Sequence, residues 1–395
     1  MNESIDWKKT TLGSISLVNG QYGANEAAVS LKERNARYIR ITDIDDDGQL
    51  MNEGAVGSNI EKIEQYTVNY SDLLFARTGA TTGKCYLHRA KTGTYTFAGF
   101  LIRFKIDESK ADPYFIWLMT KTKKYDDWVK TMSARSGQPG INSKEYSNLE
   151  IMVPPLSIQK KITQILSTWD DAINKTLTSI QNEKRRKKSI LSKIYRGQLS
   201  EKHSTKVDFK RLKQYLSEVT SRKNESINNV LSVSNSKGFI PQDEQFEREV
   251  ASKDRSNYKV VRRGEFAYNP SRVNVGSIDL LTTQESGILS PMYVVFKCND
   301  ELNNRYLYHF LKSDLFLQMI PKYTQGSVRD SLAFDGLCSM KLYIPIIEEQ
   351  LAYSQALDAI DDYIKKHEKL LELYRLQKQG LMQQLFTGKI RVNVN

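Results

Sequence analysis

Apolar residues recur at three- and four-residue steps over two long stretches of the chain. In the first, Ile162, Leu166, Trp169, Ile173, Leu177 and Ile180 keep this spacing, and Leu191 and Ile194 resume it. In the second, Leu357, Ile360, Ile364, Leu371, Met382 and Leu385 fall on the same frame. A narrow apolar stripe of this period predicts an amphipathic helix whose seam packs on a partner. Pro154, Pro155 and Pro345 stand just ahead of the stretches, and Gly197 and Gly388 just beyond, as helix starts and stops require. Leu156 to Arg196 would extend about 60 Å at roughly 1.5 Å per residue, whereas a mean helix has only about 11–12 residues. Elsewhere the pattern shortens. Arg37–Ile41, Leu73–Ala76, Phe100–Ile106 and Met292–Lys297 are β-branched and aromatic runs between Gly, Asn and Asp, and predict strands. Helical spacing around Tyr114–Thr122 and Tyr306–Leu317 predicts shorter helices.

The two long stretches are copies of each other. Pro154–Leu199 aligns without a gap with Pro345–Ile390, at the constant offset of 191 that separates Pro154 from Pro345. Ten of the 46 positions are identical, including Gln159/Gln350, Leu166/Leu357, Asp170/Asp361, Asp171/Asp362, Ile173/Ile364, Lys187/Lys378 and Gly197/Gly388; roughly three are expected by chance. Weaker likeness reaches ahead of each helix. Tyr70–Arg77 resembles Val261–Tyr268, Phe100–Lys105 resembles Met292–Lys297, and Pro113–Leu118 resembles Arg305–Phe310. The predicted fold is α+β with a pseudo-two-fold internal repeat: a head at 1–153, a long helix at 154–200, a second head at 201–344 and a second long helix at 345–395. The two seams, having no other obvious partner, should clasp each other.

Charge adds a partner class. The chain carries 58 Lys and Arg against 46 Asp and Glu, a net charge of +12. Residues 151–205 alone hold 11 basic and 4 acidic residues, chiefly Lys184-Arg185-Arg186-Lys187-Lys188. That run reads equally as a phosphate-facing stripe, a solvated helix face, or a contact to an acidic protein. The heads offer glycine- and serine-rich loops with basic and amide side chains. In the first head these carry Arg77, Thr78, Thr81 and Lys84, then Arg135, Gln138 and Asn142; in the second, Asn269, Ser271 and Arg272, then Gln325, Ser327 and Arg329. Arg pairs with guanine, Asn and Gln with adenine, and Ser and Thr with phosphate or base, while glycine admits a close backbone. Ordinary turns use the same residues.

Other chemistry is excluded by what the sequence lacks. Cys85, Cys298 and Cys338 and four scattered histidines have neither disulfide-framework nor zinc spacing. The run Thr78–Lys84 separates its glycines by three residues rather than four and places Cys85 where a Walker loop needs a hydroxyl. Asn269-Pro270-Ser271-Arg272 lacks the second proline and the aromatic of the amino-methyltransferase motif. No apolar run suits a membrane span, and the first residues do not form a signal peptide. No catalytic, cofactor or metal site is expected, and the chain is expected in the cytoplasm.

The chain resembles the specificity subunits of type I restriction–modification systems. The likeness is carried by the head–helix–head–helix order, by Val153-Pro154-Pro155-Leu156-Ser157-Ile158-Gln159 leading into the first helix, by Gly197-Gln198-Leu199 and Gly388-Lys389-Ile390 at the exits, and by Phe75-Ala76-Arg77 and Phe266–Gly276 in the heads. Ile346-Ile347 departs from the Pro-Leu of that pattern. The resemblance implies two target-recognition domains on an antiparallel coiled-coil spacer, each reading half of a bipartite, asymmetric site in double-stranded DNA. It implies two methyltransferase subunits docked on the helices, which supply S-adenosylmethionine chemistry on adenine. Two motor–nuclease subunits that use ATP and magnesium would complete the restriction complex. The chain itself would be non-catalytic. The competing reading is a coiled-coil protein adaptor without DNA recognition.

Overall fold

The computed structural model describes residues 7–32, 36–134, 138–199, 208–222, 227–242, 255–324 and 331–392. The chain divides into two compact units, Met1–Lys175 with Glu372–Asn395, and Thr176–Leu371. Both divisions fall inside long helices, Leu156–Tyr195 and Ile347–Phe386. Each unit therefore contains a head, the start of the helix that follows it, and the end of the other helix.

In the first head, Leu73–Ala76 is buried at all four positions and forms a central strand. The sheet runs in the order Gln21–Tyr22, Leu101–Phe104, Leu73–Ala76, Cys85–Leu87, with every pairing antiparallel. A second four-stranded sheet sets Arg37–Ile39 parallel to Tyr95–Phe97. The second head repeats the first sheet with Leu216–Glu218, Val294–Cys298, Phe266–Tyr268 and Ile278–Leu280 in the same order and the same sense. Each head is closed by an antiparallel pair whose second strand leads into the long helix: Lys8–Thr11 on Glu150–Val153, and Phe209–Arg211 on Lys341–Tyr343.

The segment 306–317 is two helices, Asn304–Leu311 and Asp314–Tyr323. Ser313 breaks it, accepting the Phe316 N–H at 3.3 Å and so capping the second helix. The apolar spacing continues across the break, which hid it from the pattern.

The seams pack as the spacing predicts. In the first unit, Ile158, Ile162 and Leu166 share one core with Met382 and Leu385 and with Phe115 and Ile116 of the head. In the second, Leu191, Ile194 and Leu357 share a core with Tyr306, Leu307 and Phe310. The start of one helix thus lies against the end of the other in each unit, making the pair antiparallel. Repeat-equivalent contacts recur. Phe386 stacks on Phe115 at 4.8 Å between centroids, and Tyr195 meets Tyr306 at 5.0 Å. Lys378 pairs with Asp170 and Lys187 with Asp361, each at 2.5 Å. These two ion pairs join the four residues of two identical repeat positions crosswise. Gly197 and Gly388, at φ of 68° and 71°, supply the left-handed residue that ends each helix.

A buried glutamine fastens each head to its helix. Gln159 is 1 % exposed; its Oε1 accepts the N–H of Asp112 at 2.9 Å and its Nε2 donates to the Pro154 carbonyl at 2.9 Å. Gln350, 0 % exposed, does the same with Asn303 at 2.8 Å and Pro345 at 2.9 Å, and also donates to the Glu301 carbonyl at 2.9 Å. Asp112 and Asn303 are the N-caps of Pro113–Met119 and Asn304–Leu311. One carboxamide therefore links the strand exit, the head helix and the long helix.

The two units differ in polarity at one repeat pair. Leu118 belongs to the apolar core of the first unit, whereas its repeat equivalent His309 lies 2.9 Å from Asp358 and 3.8 Å from Asp361. Arg305 pairs with Asp358, and Lys187 with Asp361. Burial, aided by the Lys187 charge, pushes the His309 imidazole down to about 4.

Gln159→Leu should strip partners from the Asp112 N–H and the Pro154 carbonyl and cost about 1–3 kcal/mol in urea unfolding; Gln164→Leu, at an exposed position, should cost little. His309 binds its proton more readily unfolded than folded, so its share of stability is complete above pH about 6.5 and is lost as pH falls towards about 4. His309→Leu should remove a loss of up to about 3 kcal/mol over that window, read as a flatter acid limb in unfolding free energy against pH.

Candidate nucleic-acid interface

The two candidate loops of the first head meet. Thr78 and Gly140 form an antiparallel bridge. The Gly79 N–H donates to the Pro139 carbonyl at 3.0 Å and the Ile141 N–H to the Arg77 carbonyl at 2.8 Å. Gly79 needs its glycine, since its φ is +73°. The join brings Arg77, Thr78, Thr81, Lys84, Gln138 and Asn142 together at the end of strand Leu73–Ala76. Thr81 closes a single helical turn over Gly79–Thr81, and Gln138 is exposed.

The side chains divide by what they already hold. The Arg77 guanidinium lies 4.7 Å from the centroid of the half-exposed Tyr22 ring, and its backbone N–H donates to the Phe100 carbonyl at 3.0 Å. Lys84 pairs with Asp46 at 2.7 Å, and the hydrogen bond from Lys84 holds the Asp46 carboxyl below its usual range. That pair is exposed on the Asp46 side, which leaves Lys84 cheap to redirect. Asn142 does not project a free amide. Its side chain accepts the Glu145 N–H at 2.9 Å and Glu145 returns the bond to the Asn142 N–H at 2.7 Å, capping Ser143–Ser147.

The second head repeats the arrangement. Strand Phe266–Tyr268 runs into the loop bearing Asn269, Ser271 and Arg272, which closes on a single turn at Val273–Val275. The Leu332 N–H, from the position equivalent to Ile141, donates to the Pro270 carbonyl at 3.1 Å, two residues beyond the equivalent of Arg77. Asn269 is nearly buried. It accepts the Ser271 N–H at 3.1 Å and donates to the Met292 Sδ at 3.5 Å, so its carboxamide shapes the turn. Ser271 and Arg272 are exposed, and Arg272 forms no ion pair among the described residues. Arg135, Gln325, Ser327 and Arg329 lie outside the described residues.

The basic run of the first long helix is largely matched within its own unit. Lys184 pairs with Glu368 at 2.7 Å, Lys187 with Asp361 at 2.5 Å, Lys188 with Asp314 at 2.8 Å, and Arg186 with Glu183 at 3.4 Å. Acidic groups of the same chain meet it, while Lys184, Arg186 and Lys188 stay largely exposed.

The remaining reactive groups are quiet. Burial pushes the thiols of Cys85 and Cys298 up to about 12, so neither is a nucleophile at neutral pH. His309, Asp358 and Asp361 offer ligand atoms within 4.8 Å of one another, but Arg305 and Lys187 already engage both carboxylates. No helix among the described residues is long and apolar enough to cross a membrane. Sequence reasoning passed over Tyr22 and Asp46, which touch Arg77 and Lys84; each lies far from its partner in the chain, and no local pattern marks it.

Known proteins share this architecture. The chain is 24% identical over 374 residues to the type I restriction enzyme MjaVIII specificity subunit of Methanocaldococcus jannaschii, covering 86% of this chain and 84% of that protein. The crystal structure of a type I restriction–modification system S subunit from M. genitalium superposes with a TM-score of 0.60 at 13% identity, over 100% of this chain and 98% of that one. A chain from a structure described as the basis of complex assembly and conformational transition of the type I R-M system superposes with a TM-score of 0.53 at 13% identity, over 96% of this chain and 97% of that one. The family model for the type I restriction modification DNA specificity domain matches residues 4–183 and 253–374. With that match covering more than half of the chain, in both heads and both long helices, the chain belongs to the type I restriction–modification DNA specificity family.

Proposed function

We propose that this protein is the non-catalytic specificity subunit of a type I restriction–modification complex, at work in the cytoplasm. Each head reads one half of a bipartite, asymmetric site in double-stranded DNA. The long helices set the spacing of the halves and dock two methyltransferase subunits, which bring S-adenosylmethionine to adenine. With two motor–nuclease subunits, which use ATP and magnesium, the same recognition directs restriction.

The observation that carries this reading is the doubled loop platform. The same antiparallel sheet ends in a glycine- or proline-bearing loop in both heads, met by a backbone hydrogen bond from Ile141 in one and from its equivalent Leu332 in the other. The scaffold is shared while the displayed residues differ: Arg77, Thr78 and Lys84 in one head, Ser271 and Arg272 in the other. A reader of two unlike half-sites needs that combination, since framework fixes position and loop side chains choose bases. A helix of 40 residues spans about 60 Å, long enough to set apart half-sites that recur on one DNA face every ~34 Å.

Arg77→Ala, Lys84→Ala and Arg272→Ala should each weaken DNA binding by the assembled complex and lower the slope of log affinity against log salt by about 1 where the cation meets a phosphate. Titrations at several salt concentrations measure this. Absence of DNA binding in any subunit mixture would leave the adaptor reading. Insertion of four residues in each long helix, about one turn, should lengthen the gap between half-sites and leave both half-site sequences unchanged. Mapping methylated adenines in cells carrying the variant reads this out.

A further inference from the structure

Two large apolar side chains stand out of the surface beside the loops just described. Phe100 is 56 % exposed and Met292 is 61 % exposed. Each occupies the third position of a tight turn that joins two strands. The Leu101 N–H donates to the Ala98 carbonyl at 2.9 Å, and the Tyr293 N–H donates to the Ser290 carbonyl at 3.0 Å. The turns precede equivalent strands, Leu101–Phe104 and Val294–Cys298. Turn positions ordinarily carry glycine, asparagine or another small polar residue. A single exposed apolar side chain is commonplace. The same exposure at the same turn of both repeats, in otherwise divergent heads, is not scatter.

Their neighbours give the ligand class. The Phe100 carbonyl accepts the Arg77 N–H at 3.0 Å, and the Met292 Sδ accepts the Asn269 Nδ2–H at 3.5 Å. Each knob is thus held against the loop that bears its head's cation, Arg77 or Arg272. Tyr22, 44 % exposed, adds a ring under Arg77. A cation for phosphate beside a projecting apolar group is the pairing by which proteins meet base edges: apolar groups touch the thymine methyl or wedge into a base step while basic groups hold the backbone.

We propose that Phe100 and Met292 are the apolar base-contacting residues of the two heads, each seated against a base pair of the half-site its head reads. This rests on the DNA-reading function above and adds two specificity-determining positions to it. The flat Phe100 ring suits stacking on an unstacked step, and the flexible Met292 chain suits a methyl group. The heads therefore differ in apolar contact as well as in polar readout.

The test uses the assembled complex carrying Phe100→Ala, Met292→Ala, Arg77→Ala or Arg272→Ala. It measures binding to the cognate duplex, the pattern of methylated adenines in cells, and the melting temperature. Phe100→Ala should lose about tenfold or more in discrimination at one base pair of one half-site, and Met292→Ala the same in the other half, with melting unchanged. Uracil in place of thymine at the affected pair should reproduce the loss where a methyl contact is at work and leave it unchanged where a wedge is. Wild-type discrimination in both knob variants, with binding weakened by the arginine variants, would overturn the proposal and leave the DNA-reading function intact. Equal losses in both half-sites with a lowered melting temperature would also overturn it, by showing a structural role. If the arginine variants too bind as the wild type does, the DNA-reading function falls first and the knobs with it.

Discussion

The attachment of each head rests on one buried carboxamide. Gln159 and Gln350 are held by backbone groups alone: an N–H at an N-cap, and the carbonyl of a proline, with Glu301 adding a third in the second head. A buried amide whose partners are main-chain atoms does not depend on the identity of the head's side chains. The heads can therefore diverge in their loops without loosening the joint, and the joint is costly to remove because the freed groups have no water to turn to. Around it the aromatic contacts Phe386–Phe115 and Tyr195–Tyr306 bury the surface that makes the joint dry.

The helix pair adds a second layer of order. The crossed pairs Lys378–Asp170 and Lys187–Asp361 are individually of modest worth, since partly exposed ion pairs contribute about 0–1 kcal/mol. Their value lies in register: a shift of either helix would set cations and carboxylates beside the wrong neighbours. Much of the basic run on the first long helix faces acidic groups of the same unit. The second unit also tolerates a polar group, His309, where the first has Leu118, and it keeps that histidine uncharged by burial amid Arg305, Lys187, Asp358 and Asp361.

The periodicity located both long helices, whose starts fall within two residues of the expected 154 and 345 while their ends, Tyr195 and Phe386, fall short of the expected 200 and 395; the repeat offset already paired Asp170 with Asp361 and Lys187 with Lys378. Strand Leu73–Ala76 was legible because it is buried on both faces and reads as an unbroken apolar run. Lys8–Thr11 was not: it is a short, half-exposed strand of Lys and Thr, held by its partner Glu150–Val153 rather than by its own pattern. The break at Ser313 was hidden because apolar spacing continues through it. At the loops, residue types suggested an interface but could not separate Asn142 and Asn269, whose amides shape the turns, from Arg77 and Arg272. Which amide is consumed by the local backbone depends on three-dimensional closure, to which composition is blind.

The first unit is assembled from both ends of the sequence, for its core needs Met382, Leu385 and Val392 beside Leu12, Phe115 and Ile162. The second unit is contiguous, Thr176–Leu371. On a ribosome the usual order, first domain first, is thereby reversed. The contiguous unit has its whole core in hand while the earlier-made head still waits, its apolar surface partly uncovered, for the last stretch of helix to emerge. In a nascent chain of this design the earlier-made head is open to chaperones longest, and a stop just ahead of Glu372 would spare the later-made head and cripple the earlier one.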